Sequence, residues 1–338
     1  MFKSILRAGV VAMMAAGAAC AAPLYHLHQI VKLGAPDHWD YVVADPVTHR
    51  VYVAHGDRVS VVDGRSGRIL GEVGMFPGGT HGIAVAAAEG RGYTDDGKAG
   101  LAEGFDLRTL KSTGPIAAAE DADGIAFDEK SGHVFVVDGD SGKISVIDAR
   151  SNRNIATIDA GAKLEYAVVD GAGKLYVNGA ARNELLRIDI AGNRIDARWP
   201  LAGCQSPTGL AVDTVGRRVF SSCRNGVMDV INADSGALVA SLPIGRGTDS
   251  AAYDPRRHRV FSSNGKDGTI TVIDEQTPDR FVVAGTLATK VTGRTMGIDT
   301  GTGRLYVAAG DVAGVNAKGH AVIKPGSLQL LMFDPAAD

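Results

Sequence analysis

Asp40, His81, Asp123, Glu165, Thr208, Asp249 and Arg294 recur at intervals of 41 to 45 residues, each at the same distance from the end of a short apolar stretch. Brought together, four carboxylates facing one arginine would repel one another, so a bound cation, raised carboxyl pKa values or Arg294 itself must compensate. Used for acid–base chemistry, His81 would be the general acid or base with Asp123 or Glu165 as its catalytic partner. Arg294 would then hold an anionic group of the substrate, an arrangement suited to a lyase or a lactone hydrolase. Used for metal chemistry, Asp123, Glu165 and Asp249 offer hard oxygen ligands to a divalent ion such as calcium or magnesium, while His81 and His55 would favour zinc. The plain structural alternative is a solvated channel lining. Neither an H-E-x-x-H nor a G-x-S-x-G motif occurs, so neither a zincin nor a serine hydrolase is indicated.

A second register lies three residues after a recurring aromatic and reads His55, Asp96, Asp138, Gly179, Cys223, Asn264 and Ala309. It predicts a wider ring on the same face, with His55 and Asn264 joining Asp40, Thr208, Asp249 and Arg294 as ligand-binding candidates. Trp39, beside Asp40, offers either a stacking surface for a ligand or a packing residue.

The elements that must position these residues are repeats. Asp123-Gly124-Ile125-Ala126-Phe127-Asp128, then His133 to Asp138, Ile144 to Asp148 and Ile155 to Ile158, read as short β-branched strands separated by Gly, Asn, Asp and Ser turns. The first-strand anchors fall at Asp45, Ala86, Asp128, Asp170, Asp213, Asp254 and Asp299. A third-strand residue keeps step at Asp63, Asp106, Asp148, Asp189, Asn232, Asp274 and Asp334. Four strands at this period form a propeller blade, because a small twisted sheet must cover its faces against like neighbours around an axis. The prediction is therefore all-β: a single seven-bladed β-propeller domain over 22–338, with four-stranded blades. Its units run approximately over 36–78, 79–119, 120–162, 163–204, 205–246, 247–291 and 292–338. The seventh unit lacks a fourth strand and an orphan strand at 26–33 precedes the first, so the N-terminal strand should close the last blade and remove an exposed edge.

Lys143 to Asp148, Asn154 to Ile158 and Leu175-Tyr176-Val177-Asn178 resemble the YVTN-type repeat of the YncE-like family of bacterial seven-bladed propellers, over essentially the whole chain after residue 21. That resemblance implies an exported protein. It leaves open binding of a small polar ligand, a metal or a protein partner, lyase or lactonase activity, and single-stranded DNA binding as in some members. Tyr93-Thr94-Asp95 and Phe220-Ser221-Ser222 depart from the signature.

Lys3 and Arg7 before an apolar run, with Ala19-Cys20-Ala21 as a cleavage site, predict an export signal over 1–21 and a periplasmic or secreted protein, without a lipoprotein anchor at Cys20. No later stretch is long and apolar enough for a transmembrane segment, and a monomer is expected. The net charge is −3, or about −5 without the signal, and aromatics make up 6% of the chain. Both count against nucleic acid, which wants a basic, aromatic-lined groove. Cys204 and Cys223 fall on one face of the fifth unit and are predicted to pair in an oxidising compartment. About fifteen extra residues in the seventh unit, near Gly310 to Gly326 and including Lys318, His320 and Lys324, predict a lid over the mouth or a plain surface insertion.

Overall fold

The computed structural model describes residues 23–317 and 319–336; the expected export signal and Lys318 lie outside them. Seven four-stranded antiparallel sheets follow one another around a ring, and an eighth, two-stranded sheet is added in the last unit. The innermost strands are Val42–Ala44, Ala84–Ala86, Ala122–Asp128, Ala167–Val169, Pro207–Asp213, Thr248–Asp254 and Thr295–Asp299. Blade seven orders its strands Thr295–Asp299, Arg304–Ala309, Gln329–Pro335 and Tyr25–Lys32. The N-terminal strand therefore closes the ring, with Tyr25 opposite Pro335 and Lys32 opposite Gln329.

The second strands show why the sequence reads as it does. Val51, Tyr52, Val53 and Ala54 are all essentially inaccessible to solvent, since a neighbouring blade covers each face. Outer strands such as Arg153–Asp159 alternate between exposed and half-buried positions, because one side meets water. Seven apolar clusters form among the described residues, one at each junction between adjacent blades. The wheel is held by its spokes' contacts rather than by one central core.

The recurring aspartates are turn residues. Asp63 accepts the backbone N–H groups of Arg65 and Ser66, and Asp106, Asp148 and Asn232 do the same in their blades. Their side chains satisfy backbone donors that a tight hairpin leaves unpaired. Three of the recurring aromatics link blades through their hydroxyls: Tyr93 donates to Ala149 O, Tyr176 to Ala233 O and Tyr306 to Gly64 O.

Cys204 and Cys223 form the expected disulfide, with Cα atoms 5.4 Å apart. The insertion in blade seven folds into a hairpin, Val312–Val315 against Ala321–Ile323. Asp37 holds its end by accepting the N–H groups of Gly326, Ser327 and Leu328. None of its residues lines a cavity at the channel mouth. Ile323 of the hairpin packs against the cluster that contains Trp39. Among the described residues no helix is long and apolar enough to cross a membrane.

Candidate functional site

Every blade but the fifth delivers one residue of the first register to the mouth, at or just before its innermost strand. A cavity of about 490 Å³ there is lined by Asp40, Tyr41, Asp121, Asp123, Asp140, Lys163, Glu165, Arg224, Asp249 and Arg294. Asp40, Asp123, Glu165, Asp249 and Arg294 of the first register thus meet in one basin. His81 lines an adjoining cavity that shares Asp40.

The basin has a floor. The rings of Tyr41 from blade one and Tyr166 from blade four lie 4.5 Å apart, and these blades stand on nearly opposite sides of the wheel. Between them the innermost strands carry only Gly82, Gly124, Gly209, Ser250 and Thr295 at the equivalent position. The space is used: a Cβ on Gly82 would lie 2.1 Å from Asp123 O, and one on Gly209 2.4 Å from the Ser250 backbone. Small residues let the two rings meet across the axis, so the channel is blind beneath the carboxylates. The Tyr41 hydroxyl is raised well above its ordinary pKa by burial and then by the charges of Asp123, Asp40, Glu165 and Asp249, which places it among them.

The charges in the basin are unevenly satisfied. Arg294 pairs with Asp249 at 2.9 Å and reaches Asp40 at 3.7 Å, and Arg224 meets the other oxygen of Asp249 at 3.2 Å. Lys163 pairs with Asp140 at 2.5 Å. The side chains of Asp123 and Glu165 have no hydrogen bond or ion pair among the described residues, although Glu165 is only 8% exposed. Burial, reinforced by Asp249 and opposed by Arg224 and Lys163, pushes Glu165 up to about 7. Asp40 rises to about 6 through burial, against the pull of Arg294. Asp123 is raised well above the carboxylate range by burial and by Asp40.

His81 is oriented by Asp95, an inaccessible carboxylate 2.9 Å from its Nδ1 that also accepts the backbone N–H groups of His81 and Gly82. Burial works to lower the imidazole, but the hydrogen bond and charge of Asp95, with Asp40 and Asp123, outweigh it and raise it to about 9. Asp95 itself is pushed up to about 7 by burial, against the lowering effect of His81. The contact with Asp95 thus favours the protonated imidazole.

Other residues of the registers go elsewhere. Thr208 is fully buried and donates to Thr248 O at 3.1 Å, tying blade five to blade six, so it does not reach the mouth. The second register turns into the blades instead of forming a wider ring. His55 lies 2.8 Å from Ser60 Oγ and 2.7 Å from Pro36 O, Asp138 accepts from Ser145, and Asn264 donates to Thr271. His55 and Asn264 thus spend their polar atoms inside the fold, and His55 cannot join His81 around a metal. Trp39 is 4% exposed and packed between blades seven and one, with the Arg294 guanidinium 5.9 Å above its ring and donating to Trp39 O at 2.9 Å. It serves as a wall. Among the described residues no group of three or more His, Cys, Asp and Glu side chains is arranged to hold a metal ion.

Tyr41, Asp95 and Arg224, together with Asp121, Asp140 and Lys163 of the basin lining, are absent from the candidates read in the sequence. Arg224 had a signal: the position after the second register reads Gly56, Gly97, Gly139, Ala180, Arg224, Gly265 and Gly310, and a long cation among six small residues must fill space that the others leave open.

No family model matches the chain, and no curated protein matches it significantly. Solved structures do. The hydrazine synthase of Kuenenia stuttgartiensis superposes with a TM-score of 0.69 at 14% identity, covering 84% of this chain and 94% of that one. The WD40 repeats of RRP9 give 0.78 at 11% identity over 91% and 99%. A chain of the mitotic checkpoint complex gives 0.75 at 14% over 98% and 100%. The likeness is one of fold. Propellers of this shape carry unrelated activities, so function has to be argued from the basin.

Proposed function

We propose that this protein is an exported, YncE-like binding propeller whose channel mouth holds a small organic cation, an ammonium or guanidinium group seated among Asp40, Asp123 and Glu165. The observation that carries the reading is Glu165, a carboxylate more than nine-tenths buried, without a partner, lining a blind basin next to the equally unpaired Asp123. A buried carboxylate without a counter-charge is costly, and the arginines in reach are already committed to Asp249. Carboxylates from separate blades suit a group that donates several hydrogen bonds over a wide solid angle, which favours an alkylammonium over a compactly coordinated metal ion. The same carboxylates repel phosphodiesters, which counts against single-stranded DNA at this mouth. The YVTN-type repeats, the disulfide and the basic-then-apolar start of the chain support export and kinship with the YncE-like group.

The test is calorimetric titration of the full chain with butylamine at pH 6.5 in two buffers of different ionisation enthalpy. Saturable binding accompanied by proton release is expected, because the cation lowers the raised carboxyl groups, and Glu165→Gln should weaken it at least tenfold. No saturable heat, or equal affinity in the variant, would overturn the reading. The lyase or lactonase alternative would use His81 as the general acid, since its raised pKa favours the protonated form.

A further inference from the structure

Adjoining the acidic basin is a second cavity, of about 340 Å³, that carries basic side chains. It is lined by His38, His81 and Lys98 on a frame of Pro36, Gly56, Pro77, Gly78 and Gly79, with Trp39 as a wall. Its acids are accounted for: Asp57 is paired with Arg58 at 2.7 Å, and Asp40 is the boundary it shares with the basin. Lys98 is exposed and has no ion pair among the described residues, and neither His38 nor the Nε2 of His81 has a hydrogen-bond partner there. The positive charges are close enough to oppose one another. His38 is held below its ordinary pKa by burial and then by Arg294, His81 and Lys98, so a group that brings negative charge would relieve the cavity. The backbone makes room for this arrangement. A Cβ on Gly97 would lie 2.6 Å from the His81 ring, so the small residue there lets the imidazole sit where it can face both Asp95 and the cavity.

Two lobes, one acidic and one with basic side chains, meet at Asp40 and define a ligand with two ends. We propose that the mouth binds a zwitterion, its ammonium in the acidic basin and its carboxylate in the adjoining cavity beside His38, His81 and Lys98. This rests on the cation reading of the basin and names the rest of the molecule. Arg294, with Nε on Asp249 and its guanidinium over Trp39, stands at the seam between the lobes and keeps the two charges of the ligand apart. The ligand class is thus amino acids, and the chain between the charged groups is the variable that the wall of Trp39 and the two prolines selects.

The experiment titrates the full chain with glycine, β-alanine, 4-aminobutyrate and 6-aminohexanoate, each beside the alkylamine of the same carbon number. At least one amino acid should bind tenfold or more tightly than its amine. Lys98→Gln, an exposed substitution whose fold is checked by its unfolding midpoint, should lower that amino acid's affinity at least fivefold, and Glu165→Gln should weaken amino acid and amine alike. If the amines bind and no amino acid exceeds its partner, the zwitterion proposal is wrong while the cation reading stands. If neither series binds, the cation reading fails first. An amino-acid preference that survives intact in both Lys98→Gln and His38→Gln also overturns the proposal, because the second cavity would then have no part in it.

Discussion

Glu165 concentrates the conflict between stability and function in one side chain. Its folded pKa of about 7 stands above the ordinary value, so the folded protein binds protons more tightly than the unfolded chain does. A group raised in this way contributes stability that is complete below its unfolded pKa and is lost as the pH climbs through the folded one. Asp40 at about 6, Asp95 at about 7 and Asp123 have the same sign, and His81 at about 9 continues the loss on the alkaline side. The half-buried turn aspartates, Asp63, Asp106 and Asp148, are lowered chiefly by hydrogen bonds from the residues they cap, and they oppose this only in acid. The thermal midpoint should therefore be higher near pH 5 than at pH 8, measured by calorimetry across that range. Glu165→Gln should stabilise the protein at pH 8 by about 2 kcal/mol, since it removes a buried charge without a partner, and the gain should shrink at pH 5 where the acid is already protonated. A midpoint that rises steadily from pH 5 to pH 8 would contradict the assignment of these groups.

At the scale of the strand, the disulfide shows what the loops at this end of the blades are for. Cys204, in the loop entering blade five, and Cys223, closing its second strand, are both buried, and Arg224 follows directly to reach Asp249. Replacing both cysteines with serine should cost about 3 kcal/mol for a loop of this size, read from urea denaturation. It should also weaken amine binding more than the loss of global stability alone explains, because the strand end that aims Arg224 is released. The strand is also where the sequence was only partly legible. Period and turn chemistry locate the four strands of each blade but not the hairpin of the blade-seven insertion, and three residues past an aromatic is a count along the chain that does not say which face the side chain takes. His55, Asp138 and Asn264 stand at strand ends where the ladder continues, and their polar atoms meet Ser60, Ser145 and Thr271 on the neighbouring strand of the same blade. Thr208 is turned inward for a similar reason, since its hydroxyl finds a carbonyl of the next blade. The first register was readable because its residues precede the regular ladder and face the axis. The Tyr41–Tyr166 floor was written in the same columns, as two large rings among small residues, and is recognisable once the columns are taken to converge on an axis.

Across the whole molecule, seven junctions share the apolar burial and none is dispensable, because a ring has no free end to fray. The one junction made by distant parts of the chain is blade seven, where Tyr25–Lys32 pairs with Gln329–Pro335 along its length. Tyr25 and Val31 are buried there, and each enters the cluster on a different side of that blade, so the strand joins blade seven to both neighbours. Its loss would expose the ladder groups of Gln329–Pro335, an edge that invites pairing with other chains, and would strip apolar cover from two junctions together. Deleting residues 23–33 should therefore convert a single cooperative unfolding transition into a broad one at lower temperature, with self-association visible by light scattering. A synthetic peptide spanning Tyr25–Lys32 should restore the sharp transition by refilling the same register. Amine binding gives the second readout, since Asp40 and Arg294 come from the two blades that this strand clamps together. A truncated chain that unfolds as sharply as the full one and still binds would mean that the ring does not depend on its closure.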